Sequence, residues 1–166
     1  MKKIKLTWLL LFTIIMMVTM KLQWNQHNKN VEQGIIPLEL AKTQQEALAI
    51  TKDWNMQGAI INTWVDAFFI IAYTLFLFVA VYRLASMLKF SGNYLKYLAW
   101  LAPIAGILDF AENYKMLQFM ANVDNFQSAY TVSIIKWGIV AGLFVLFIVL
   151  SCLVNDQEMK RNRAFS

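Results

Sequence analysis

The stretch Ala105-Gly106-Ile107-Leu108-Asp109-Phe110-Ala111-Glu112-Asn113-Tyr114 decides how many helices this chain sends through a membrane. Two carboxylates and an amide stand there at helical spacing, directly after the nearly uncharged run 94–108. Ala99, Ala102, Gly106, Asp109 and Asn113 recur at 3-4-3-4 spacing, so they share one helical face. Small residues on such a face let a neighbouring helix approach closely. An ionisable group at membrane depth is expensive and marks a functional site by default. Alone, the stretch reads as the polar outer end of a third span, from about 94 to 120.

Working outward, the composition supports a membrane protein. Of 166 residues, 59% are hydrophobic and 15% charged, with twelve Phe, six Trp and six Tyr. A soluble domain of this size needs more polar surface. The length suits one domain, 1–166, with four spans of roughly 20 apolar residues each. Upstream of the third span, the first runs over about 6–24 and the second over about 59–83. The fourth follows, over about 129–154. The first is expected as an uncleaved anchor, because bulky residues occupy the place of a cleavage site. The fold expected is an all-α integral membrane bundle of four transmembrane helices. One short extracytoplasmic amphipathic helix joins spans one and two.

That helix belongs to the polar segment 25–58. Pro37 suits a helix's first turn, and Thr43-Gln44-Gln45-Glu46 fits a capping box. Ala47, Ile50 and Trp54 then form one apolar stripe, to lie on the bilayer or cap the bundle. Ser91-Gly92-Asn93 reads as a turn before span three, which Pro103 kinks.

The net charge of +5 follows the membrane and not a nucleic acid. Lys2, Lys3, Lys5, Arg83, Lys89, Lys96, Lys160, Arg161 and Arg163 fall on one side under the positive-inside rule. Lys21, Lys29, Lys42, Lys52 and Lys115 fall on the other, balanced by Glu32, Glu39, Glu46, Asp53 and Asp124. Both termini are therefore expected in the cytoplasm of a plasma (inner) membrane, with 25–58 outside. Lipid is the expected partner.

This topology places Asp66, Asp109, Glu112 and Lys136 roughly 10–16 Å below the outer surface, at about 1.5 Å per residue. Asn62, Asp66 and Tyr73 share a face of span two, and Ser133, Lys136, Val140 and Leu143 share one of span four. Charges avoid lipid, so these faces are expected to meet in an intramembrane polar cluster with Asn113. Three acids against one lysine leave an excess of negative charge. A retained proton, a bound cation or a rim lysine would relieve it.

On span four, Gly138 and Gly142 form a G-x-x-x-G about 200° around the helix from Lys136. That face suits another protomer or a membrane partner. The single cysteine, Cys152, excludes an internal disulfide, and His27 is the only histidine. No phosphate loop, Ser–His–Asp set or zinc pattern is present, so no metal or cofactor is expected. Paired aspartates in four spans invite comparison with lipoprotein signal peptidases. That family's N-x-x-D-R stretch is missing, and Phe110 follows Asp109, so no family is assigned.

Three functions stay open to the sequence. The first is a binding, interaction or structural membrane component, its cluster holding helices together or hosting a cation, proton or lipid headgroup. The second is an intramembrane acid–base enzyme acting on a lipid or other apolar substrate. The third is a subunit of an oligomeric channel or transporter. Continuous apolar runs from Leu75 to Val81 and from Leu143 to Leu150 oppose transport by a monomer.

Overall fold

A computed structural model describes residues 6–28, 31, 34–88 and 92–163. Lys2, Lys3, Lys5, Lys29, Glu32, Lys89 and Ser91 lie outside them, as do the side chains of Asn93, Glu158, Lys160, Arg161 and Arg163. The described residues are helical, without a strand: α1 (Leu6–His27), α2 (Ile36–Glu39), α3 (Gln44–Thr51), α4 (Met56–Met87), α5 (Gly92–Leu98), α6 (Leu101–Ala121) and α7 (Tyr130–Arg163). Three of them, α1, α4 and α7, are long and apolar enough to cross a membrane.

The expected third span is two helices. α5 ends at Leu98 and α6 begins at Leu101, so the chain breaks at Ala99–Trp100. Pro103 does not kink a continuous helix. It occupies the first turn of α6, where its missing N–H has no intrahelical partner to lose. Asp109, Glu112 and Lys115 set α6 apart from the three more apolar helices. α7 also outruns the end expected for the fourth span near Val154, continuing through Arg163. Its last turns are polar but hold no helix breaker.

α4 is the central helix and touches α1, α5, α6 and α7. Asn55 caps it, accepting from the Gly58 N–H at 3.1 Å. α1 is peripheral, with only Trp24 buried. Asn62 Nδ2 holds it to α4 by donating to the Met20 carbonyl at 2.9 Å and to Gln23 Oε1 at 2.6 Å. At Gly106, an added Cβ would stand 2.7 Å from Thr74 Cγ2. Glycine there sets the α4–α6 separation.

Two apolar clusters form, one towards each end of the bundle. The far cluster joins Phe76, Leu77, Ala80 and Val81 of α4 to Leu143, Leu150 and Val154 of α7, with Ala99 and Ala102. The capped cluster gathers Trp24, Leu38, Ala41, Ala47, Trp54, Ala59, Met116, Phe119 and Met120. Its roof is the pair α2 and α3.

The roof is built as its sequence suggests, with one adjustment. Gly34 adopts φ +66°, a left-handed conformation that turns the chain into α2. Pro37 sits in the first turn of α2. Thr43 Oγ1 accepts from the Glu46 N–H at 3.2 Å, a cap that contributes about 1 kcal/mol. Glu46 reaches one residue past the expected partner, accepting from the Lys42 N–H at 2.8 Å. The Ala47–Trp54 stripe faces inward, and Trp54 meets Trp24 edge-on at 4.9 Å. The amphipathic helix therefore caps the bundle.

Candidate functional site

Between the two apolar clusters lies a layer of buried charge centred on Lys136. α7 places this lysine on the same face as Ser133, Leu143 and Leu150, all buried. Its ammonium is 2.8 Å from Glu112 Oε1, 3.0 Å from Asp109 Oδ1 and 3.4 Å from Glu39 Oε2. An ammonium has three N–H donors, and three carboxylates surround this one. The Trp137 ring adds a face to the cation, its centroid 4.8 Å from Nζ.

The remaining oxygens are met from other helices. Tyr73 of α4 donates its hydroxyl to Asp109 Oδ2 at 2.8 Å. Ser133 Oγ lies 2.8 Å from Glu112 Oε2, its shortest contact, and also within reach of the Glu39 carbonyl at 3.1 Å. Asn113 donates to Asp66 Oδ2 at 2.6 Å. Glu112 is wholly excluded from solvent, and Lys136 is 3% exposed. Such groups persist in a low-dielectric interior only when paired and hydrogen-bonded.

The geometry brings together Asp109, Glu112, Lys136 and Tyr73, with Asp66 and Asn113 as an adjoining pair. Asn62 does not belong here, contrary to its place on the shared face of α4. One turn of α4 separates it from Asp66, and it turns to α1 instead. Gly138 and Gly142 lie away from the cluster, with nothing within 4 Å of an added Cβ.

The residue that sequence reasoning missed is Glu39. It counts there as one acid balancing the outer lysines, whereas it is 6% exposed and binds Lys136. Trp137 Nε1 also donates to its Oε2, at 3.3 Å. A signal was present: Glu39 stands inside Ile35-Ile36-Pro37-Leu38-Glu39-Leu40-Ala41, an apolar run where a solvated acid has no reason to be. Burial pushes the Glu39 carboxyl above its usual range, and the Lys136 charge opposes this. Its carboxyl also stands within hydrogen-bonding reach of Glu112, beside the same ammonium.

Chemically, the layer can hold helices in register and can hold a proton. Glu39, Asp109 and Glu112 against Lys136 carry a net −2 if all ionise. A proton between the Glu39 and Glu112 carboxyls removes one of those charges and supplies the donor their contact requires. Among the described residues, no group of His, Cys, Asp and Glu side chains is arranged to hold a metal ion. Compared with protein-family models, curated proteins and solved structures, the chain matches none of them.

Proposed function

We propose that the chain is a four-span plasma-membrane protein whose buried charges clasp an extracytoplasmic cap, serving as an interaction or structural component of the membrane. α6 serves as the remaining span. At 21 residues it is roughly 31 Å long, enough for a hydrocarbon core. Its acids face α7, while Ile104, Ile107, Phe110 and Tyr114 are exposed as a lipid-facing side would be. The termini then lie in the cytoplasm and the cap outside, with Arg83 and Lys96 on the positive side.

One observation carries the reading. All four carboxylate oxygens of Asp109 and Glu112 already accept hydrogen bonds from Lys136, Tyr73 or Ser133. A general acid or base must reach an atom of its substrate, and these groups are occupied with one another. The enzyme reading therefore loses its support, and so does a freely hydrated ion path.

The test is Asp109→Asn, followed by thermal melting in detergent. Removing a charged hydrogen-bond partner should lower stability by about 1.5–3 kcal/mol. Unchanged melting would count against the clasp.

A further inference from the structure

We infer that the α2–α3 cap is a proton-operated latch, docked while Glu39 and Glu112 share a proton and released when that proton leaves. This rests on the clasp reading and adds its regulation.

Glu39 is the charged group that the cap inserts into the cluster. It arrives on a helix of four residues, whereas Asp109 and Glu112 ride on one of 21 and Lys136 on one of 34. Repulsion among the carboxylates is therefore relieved most easily by moving α2. With the proton present, the Glu39 and Glu112 carboxyls are joined through it, and the Glu39 backbone carbonyl stays beside Ser133. Without it, three carboxylates face one ammonium inside a site nearly closed to water.

The cap's other ties are neutral or weak. Ser128 Oγ donates to the Ala41 carbonyl at 2.9 Å, and Gln44 Nε2 to the Val123 carbonyl at 2.9 Å. Lys42 lies over the Tyr130 ring at 4.4 Å. The charged groups acting on Glu39 are Lys136 and Asp109, beside its contact with Glu112. Behind them on α4 stand Asp66 and Tyr73, and on α3 Glu46 turns away to the Lys42 N–H.

The direction of the effect follows from linkage. Burial raises the carboxyl of Glu39 above 4.5, so the docked cap binds a proton that the free cap releases. Docking is then fully stable below that value and weakens as pH rises past it.

The experiment is hydrogen–deuterium exchange on the full chain in lipid nanodiscs, corrected for intrinsic rates, from about pH 5 to about pH 9. Protection over residues 36–51 should fall with pH, by at most about tenfold per unit for one proton. Residues 76–81 in the far half should not follow. Glu39→Gln keeps an amide that can hydrogen-bond Glu112 in either sense but cannot ionise, so its cap should stay protected throughout. A flat wild-type profile, or a Glu39→Gln profile with the wild-type slope, overturns the latch. If the profile is flat while Asp109→Asn still lowers melting, the clasp stands and only the latch falls. If Asp109→Asn melts normally, the clasp falls and takes the latch with it.

Discussion

Along α7 the chemistry of the bundle changes within two turns. At Lys136 the helix meets Glu39, Asp109 and Glu112 through short, directed contacts. At Leu143 and Leu150 it meets Phe76, Leu77, Ala80 and Val81 through shape alone. In hydrocarbon, an apolar side chain gains little by leaving lipid for protein. The far half therefore packs without strongly preferring one register. A buried charge, by contrast, is costly to leave unpaired. The capped half thus selects the arrangement that the far half fills.

The contrast between the two halves is most exposed to substitution at Lys136. Lys136→Met leaves three carboxylates without their cation and should destabilise by about 3–5 kcal/mol, read from melting in detergent. The loss should deepen as pH rises, because more of the carboxylate charge is then uncompensated. Leu143→Ala, at the matching position of the far half, should cost about 2 kcal/mol from its cavity and show no pH dependence. Equal losses for the two, or a pH-sensitive Leu143→Ala, would erase the distinction.

Two glycines give a finer contrast. Gly106→Ala puts a methyl against Thr74 and should cost about 1–3 kcal/mol through overpacking. Gly138→Ala meets open space and should stay within about 0.5 kcal/mol of the parent protein. A larger loss at Gly138, with a change in particle size, would reveal a second copy or another helix packed on that face.

The long apolar helices and the cap were legible because their signals are local. Span length, a capping threonine and a stripe at helical spacing each act within a few residues. The same holds for the α7 face bearing Ser133 and Lys136, where period alone points both inward. Three features were not legible, for distinct physical reasons. Asn62 shares a face with Asp66, but that face is wide enough to serve two neighbours, and α1 claims its outer edge. The break at Ala99–Trp100 has no proline at the break itself. The helix restarts there with Pro103 already inside its first turn. Glu39 belongs to a pairing separated by 97 positions in the chain. Periodicity cannot see that distance, and only its apolar setting hinted at burial.

The roof also carries an optical consequence. Of six tryptophans, Trp8, Trp64, Trp100 and Trp137 are exposed on the surface. Only Trp24 and Trp54 are buried, with their rings nearly perpendicular at 86° and 4.9 Å apart. Trp24 comes from α1 and Trp54 from the segment that joins the cap to α4, so their relative orientation reports how the cap's exit sits on α1. Two indoles so close and so fixed couple their transitions, giving a chiral near-ultraviolet signal. The protein thus contains its own spectroscopic gauge of that contact, readable without a label.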